Sequence, residues 1–188
     1  MTDAELLVLF RNPQTAEQAF RQIIRMYQKP IYYYIRRMIL DHDDSDDVTQ
    51  MTFIKAWKGL PGFRGEAKLD TWLHTIAYHE SLTFIEQKKR VGKVPLSEIH
   101  GSLDYTLQQD ELYSGDEIQR RLQVALATLP AKQKAVFVMK YFEEKKYEEI
   151  AEITGTSVGA LKASFHHAVQ KIQAHVGRNV DQSLSPSK

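Results

Sequence analysis

At 188 residues, the chain is long enough for one large domain or two small ones of about 100 residues each. A net charge of +1 excludes a protein that coats nucleic acid through bulk electrostatics, and 43% hydrophobic with 26% charged residues is ordinary for a folded soluble chain. The absence of cysteine excludes a disulfide framework, a thiolate zinc site and a cysteine nucleophile.

The N-terminus, MTDAELLVLFRN, is acidic and only briefly apolar, unlike a signal peptide. No apolar run approaches the ~20 residues that span a bilayer. A cytoplasmic protein without membrane insertion is expected.

Helical periodicity dominates and strand signals are poor, so the fold class expected is all-α. Thr2 and Glu5 can form a capping box for a first short helix. Residues 15–28 and 31–40 read as helical, with Phe20, Ile23, Ile24, Tyr27, Ile35, Met38 and Ile39 apolar. Pro30 is expected to kink or split them, or to sit in the first turn of the second. Asp41, Asp43, Asp44, Asp46 and Asp47 suit a helix N-terminus, where the dipole favours carboxylates. They lack calcium-loop spacing.

The next helix carries Val48, Met51, Ile54, Trp57 and Leu60 as its apolar positions and stops at Pro61-Gly62. After a loop, Leu69, Trp72, Leu73, Ile76 and Ala77 give the spacing of one buried helical face. That helix runs to the basic Lys88-Lys89-Arg90, and His74 reads as a surface residue flanking its stripe. From Val91 to about Gly115 the pattern fails and a linker is expected. A second helical block opens near Asp116, with Ile118, Leu122, Ala125, Leu126 and Leu129 as its stripe, ended by Pro130. Residues 131–142 form another helix. The tail from Asp181 reads as disordered.

The stretch YEEIAEITGTSVGALKASFHHAV, Tyr147 to Val169, reads as a helix-turn-helix. Ile150 and Ala151 can face a core. Gly155 permits the left-handed turn, and Thr156 or Ser157 can cap the second helix. Val158, Leu161, Phe165, Ala168, Val169 and Ile172 form its buried stripe. By elimination Gly159, Ala160, Lys162, Ala163, His166, His167 and Gln170 face outward, the first of them in the part of a recognition helix that reaches base edges. Small residues allow close approach. Lys162 can reach a phosphate or guanine, Ala163 a thymine methyl. His166 and His167 diverge on the helix and lack an i+4 partner, so no metal site is expected there.

Two stretches carry a family resemblance. DDSDDVTQMTFIKAWKGLPGFRGEAKLDTWLHTIAYHESLTFIEQKKR resembles region 2, and LATLPAKQKAVFVMKYFEEKKYEEIAEITGTSVGALKASFHHAVQKI resembles region 4, of bacterial RNA polymerase sigma factors of the sigma-70 family, extracytoplasmic-function group. The resemblance covers about residues 14–92 and 117–176. It implies two small helical domains joined by a flexible linker: 1–92 as region 2, 93–116 as linker, 117–178 as region 4 with the helix-turn-helix, and 179–188 as a disordered tail. The implied activity is promoter-specific transcription initiation, without catalysis or cofactor.

For the minus-35 duplex the resemblance implies Ser157, Gly159, Ala160, Lys162, Ala163, Ser164, His166 and His167. For the melted minus-10 strand it implies a pocket from Phe63, Arg64, Gly65, Glu66 and Lys68 with Tyr78, His79 and Glu80, extended by Trp72, Thr83, Lys88, Lys89 and Arg90. Exposed Phe63, Tyr78 and His79 would stack unpaired bases at ~1–3 kcal/mol each. Lys68, Lys88, Lys89 and Arg90 would line phosphates. Asp47, Gln50, Met51, Phe53 and Lys55 match the surface that binds the beta-prime clamp helices of core RNA polymerase. The other partners implied are the beta flap, promoter DNA and an anti-sigma factor. Asp104, Asp110, Glu111 and Asp116 of the linker would thread the polymerase's positive cleft. His79 stands where the family often has asparagine, and Lys162-Ala163-Ser164 where it often has Lys-Ser-Arg, so promoter letters do not transfer. A standalone helix-turn-helix regulator is the alternative. A hydrolase built on Glu66, His74 and His79 lacks a nucleophile elbow, phosphate loop or metal triad.

Overall fold

The structure is a computed structural model that describes residues 2–91, 107 and 117–183. Among these the regular elements are helices, with no strand. Helix α1 (Asp3–Arg11) starts at the expected capping box: Thr2 Oγ1 accepts from the Glu5 amide and Glu5 returns a bond to the Thr2 amide. Asp3 also reaches out of its helix. It accepts from the Tyr27 hydroxyl at 2.7 Å and from the Leu69 amide at 3.1 Å, tying three helices together.

Helix α2 (Ala16–Ile39) is continuous through Pro30, so the chain neither splits there nor starts a second helix at Pro30. Proline removes one backbone donor, but Ile23 on one side and Ile31, Tyr34 and Ile35 on the other are all buried in a single core. Burial of both halves outweighs the lost bond. The helix ends at Leu40, left-handed with φ 71°.

Helix α3 (His42–Gly59) is capped by the Asp41 carboxylate, which accepts from the Asp44 amide at 2.9 Å. A 3₁₀ turn, Leu60–Gly62, follows, and then α4 (Leu69–Val91). In the second half are α5 (Glu117–Ala127), α6 (Ala131–Phe137) with a π turn at Val138–Phe142, α7 (Tyr147–Thr154) and α8 (Val158–Ser183).

Three expectations are corrected. Ile54 and Trp57 are 40% exposed, because the buried face of α3 is Val48, Thr49, Thr52, Phe53 and Ala56. Ile118 is 80% exposed, since α5 packs through Ala125 and Leu126. The tail is helical as far as Ser183, because α8 propagates beyond its packed stretch. The linker lies outside the described residues apart from Leu107, which is helical and fully buried.

The two halves are not separate bodies. A common apolar cluster joins Tyr34, Ile35, Met38, Leu69, Leu73 and Tyr78 of the first half to Ala135, Val136, Val138, Met139, Ile150, Ile153 and Leu161 of the second. Helix α4 lies against α6 and α7, and α2 against α6 and its π turn. A smaller cluster of Ala125, Leu126, Leu129, Phe137, Ala168 and Ile172 belongs to the second half alone.

Candidate nucleic-acid interface

The helix-turn-helix forms as its residues dictate. Gly155 ends α7 in the left-handed region at φ 67°, and its amide bonds Ala151 O at 2.9 Å. Ser157, not Thr156, caps α8, with its Oγ accepting weakly from the Ala160 amide at 3.4 Å. Leu161, Ala168 and Ile172 turn inward. Ser157, Gly159, Ala160, Lys162, Ala163, His166 and His167 are exposed, and Ser164 is half-buried. Nothing crowds Gly159, so the helix start presents a bare backbone surface. The Lys162 ammonium lies 5.8 Å from the Tyr147 ring centre.

The proposed minus-10 residues divide. Arg64, Lys68, His79, Thr83, Lys88, Lys89 and Arg90 are exposed, on α4 and the loop before it. Phe63 is half-buried, its ring 4.9 Å from Trp72, which in turn packs 3.2 Å from where a Cβ on Gly59 would stand. Tyr78 corrects the expectation of an open stacking platform: it is only 4% exposed, within the cluster shared by the two halves, and burial raises its hydroxyl pKa. The His79 ring, 5.1 Å from Tyr78, remains outside. Two of the cations expected to meet phosphates, Lys68 and Lys88, meet carboxylates instead. Lys68 sits 3.3 Å from Glu149 of α7, and Lys88 pairs with Asp44. Glu80 pairs with Lys55.

On α3, Asp47, Gln50, Met51 and Lys55 are exposed as expected, whereas Phe53 is buried at the floor of a groove of roughly 740 Å³ between α2 and α3. Phe20, Ile24, Ile54 and Trp57 line the groove, with Asp46, Asp47 and Gln50 at its polar edge. Trp57 is held edge-on against Phe10 and Phe20 at 5.2 and 5.0 Å. An exposed apolar strip rimmed by acids is the composition of a protein-docking surface.

Sequence reasoning placed His74 on the surface, and it is buried at 2% exposure between the halves. As imidazolium it donates from Nδ1 to Asp70, whose backbone oxygen is 2.9 Å away and Oδ1 3.2 Å, and from Nε2 to Glu143, at 3.3 and 3.4 Å from its two oxygens. Burial alone would lower its pKa; the hydrogen bonds to Asp70 and Glu143 prevail and raise it to about 9. Burial likewise opposes the Asp70 charge, yet His74 and Lys145, the latter at 2.6 Å, hold that carboxyl well below the usual range. Lys134 is buried and donates from Nζ to Met38 O at the end of α2, 2.7 Å away. Burial, then the Lys89 charge, lowers it to about 7. Asp70 lies one turn before His74, but Glu143, Lys145 and Met38 were not legible locally, because each meets its partner from far away in sequence.

Comparison with known proteins decides the family. Residues 23–91 match the model for sigma-70 region 2, and residues 119–172 match that for sigma-70 region 4. The RNA polymerase sigma factor YlaC of Bacillus subtilis strain 168 is 32% identical over 165 residues, 86% of this chain and 94% of YlaC. The chain belongs to the sigma-70 family of sigma factors. The extracytoplasmic-function sigma factor SigW of the same organism is 27% identical over 166 residues, covering 84% of this chain and 88% of SigW. Among solved structures, the fold resembles the sigma factor RpoE in complex with the anti-sigma factor NepR from Bartonella quintana, at TM-score 0.65 and 20% identity over 84% of this chain and 96% of RpoE. It also resembles CnrH in complex with the cytosolic domain of CnrY, at TM-score 0.68 and 19% identity over 94% and 97% of the two chains. This sigma factor is a member of the extracytoplasmic-function group, and its function is promoter-specific transcription initiation. Among the described residues no helix is long and apolar enough to cross a membrane.

Proposed function

We propose that this sigma factor reads the minus-35 duplex with the outward face of α8 and captures the melted minus-10 strand on α4 and the loop before it. Residues 1–92 and 117–178 serve as its two promoter-binding units. The observation that carries the reading is the exposed, uncrowded start of α8. Ser157, Gly159, Ala160, Lys162 and Ala163 stand clear of the core there, as close approach to base edges requires. On α4, the exposed His79, Lys89 and Arg90 offer a base-stacking ring and phosphate contacts.

The acid-rimmed groove of α3 binds the beta-prime clamp helices of core polymerase, with Asp47, Gln50, Met51 and Lys55 at its surface and Phe53 beneath. The second half reaches the beta flap. An anti-sigma factor is a further partner, supported by the solved sigma factor RpoE, which carries one. The protein acts in the cytoplasm and performs no catalysis.

The test is transcription in vitro, with purified protein added to cognate core polymerase on a genomic promoter library. Promoter-selective initiation that depends on the protein is expected. Lys162→Ala with His166→Ala should weaken it in a promoter-dependent way and leave polymerase binding intact. Silence from core polymerase, with the protein alone protecting duplex sites, would replace this reading with a standalone regulator.

A further inference from the structure

The loop of residues 63–68, which joins the 3₁₀ turn to α4, carries Phe63, Arg64 and Lys68 of the proposed minus-10 reader. Arg64, Glu66 and Lys68 are exposed, so the place of the loop is set by what lies behind it. Its entry is held by the 3₁₀ turn and α4: the Phe63 amide donates to Leu60 O at 3.1 Å, and the Phe63 ring stands 4.9 Å from Trp72. Its middle and exit are held by α1. Gly65 takes the left-handed region at φ 79°, and a Cβ there would stand 3.7 Å from Leu7 Cδ1. The Leu69 amide, which opens α4, donates to Asp3 Oδ2 at 3.1 Å. Leu69 is fully buried, and the first amides of a helix have no partner within it, so a carboxylate from another element satisfies this one. The other Asp3 oxygen accepts from the Tyr27 hydroxyl at 2.7 Å, which holds the carboxylate in line. Lys68 also reaches Glu149 at 3.3 Å, but that lysine is exposed and the pair contributes little.

We propose that Asp3 and Leu7 of α1 are positioning residues for minus-10 capture: they set where the 63–68 loop stands beside α4, and so tune base discrimination without touching DNA. This rests on the reading of α4 and the loop before it as the minus-10 site. Leu6 and Phe10 bury the inner face of α1 in the core, which makes the helix a fixed support. Asp3 and Leu7 are one turn apart, so the helix presents both on one side, the carboxylate to the start of α4 and the leucine to Gly65. Placement matters because a binding site discriminates only while its groups stay within about 0.5 Å of the productive geometry. A loop without these two contacts keeps its side chains but must be ordered when it meets the strand, and that ordering costs binding free energy.

The experiment uses the full chain with cognate core polymerase, on a promoter from which it initiates and on every single-base substitution of its minus-10 and minus-35 elements. Asp3→Ala should lower the preference for the native over the substituted minus-10 bases at least about fivefold, with the minus-35 preferences and the affinity for core polymerase unchanged. Asp3→Asn keeps an acceptor oxygen for the Leu69 amide and should restore the preference to within about twofold of wild type. A merely structural role would lower initiation equally on every sequence; that outcome, or an unchanged minus-10 profile, overturns the proposal.

A loop variant separates this inference from the reading beneath it. Arg64→Ala with Glu66→Ala removes two exposed side chains of the loop itself. If it changes the minus-10 preference and Asp3→Ala does not, α1 is no positioning element and the reader stands. If it leaves the preference unchanged, the loop is not the reader and both fall. Circular dichroism checks that Asp3→Ala folds. Should it not fold, Leu7→Ala removes the support at Gly65: a minus-10 preference lowered in the same selective way supports the proposal, and an unchanged one overturns it.

Discussion

Two residues show how differently a backbone and a side chain carry cost. Gly155 sits at φ 67° with nothing within 4 Å of a would-be Cβ, so its requirement is conformational, not spatial. Gly155→Ala should cost about 1–2 kcal/mol in thermal or urea unfolding, because a Cβ is disfavoured in the left-handed region. Tyr34 is the reverse case. Its ring is fully buried, 5.6 Å from His74, and its hydroxyl has no hydrogen-bond partner. Tyr34→Phe removes an unsatisfied polar atom and keeps the packing. Stability should therefore stay level or rise by up to about 1 kcal/mol, a result that a two-state urea titration reads directly. Gly155 was legible in the sequence, since a glycine between two amphipathic segments has one common use. The burial of Tyr34 against His74 was not, because the two lie on different helices and neither element announces its partner.

At the scale of elements, periodicity located the helices well and their faces less well. On α3 the apolar positions Ile54 and Trp57 are exposed, and threonines 49 and 52 are buried. Thr49 and Thr52 can be buried because each hydroxyl bonds a carbonyl one turn back, Ser45 O at 2.7 Å and Val48 O at 2.8 Å. A hydropathy pattern counts a threonine as polar and cannot see that bond. The exposed apolar strip then has a use that burial would deny it. Ile54→Asp should leave folding intact, since Ile54 is 40% exposed, and weaken association with core polymerase about tenfold, or about 1.4 kcal/mol. A pull-down titration against core polymerase measures it, and unchanged affinity would move the docking face off the groove. On α8, by contrast, elimination succeeded: the faces read outward are outward, because Leu161, Ala168 and Ile172 are apolar and carry no such ambiguity.

At the scale of the whole molecule, the charged groups buried between the halves couple stability to pH. His74 is raised from an ordinary 6.5 to about 9, so its contribution is fully present below pH 6.5 and lost as pH rises through 9. Lys134 is lowered from 10.5 to about 7, so the folded chain binds fewer protons there than the unfolded chain, and stability rises with pH between 7 and 10.5. Between pH 7 and 9 the two slopes oppose each other, each approaching one proton or ~1.4 kcal/mol per pH unit. Wild type should melt at nearly constant temperature across that window. Lys134→Met should expose the His74 slope and melt lower as pH rises from 7 to 9. A flat profile for the variant would mean that His74 does not hold its proton. Asp70 adds stability above the ordinary carboxylate range that is lost as pH falls below it, which places acid unfolding outside this window.

The sequence by itself determined the helices, the turn at Gly155, the outward face of α8 and the regions 2 and 4 that assign the family. These depend on spacing along a few turns of chain, where neighbours in sequence are neighbours in space. Only the tertiary structure decided that the two halves share a core, that Tyr78 is covered, and that His74 is a buried cation. His74 and Glu143 are 69 positions apart, and Lys134 and Met38 are 96 apart. A histidine or lysine on an amphipathic helix looks like a surface residue until a second element brings the carboxylate or carbonyl that satisfies it, and that choice of partner is made by the complementarity of whole faces.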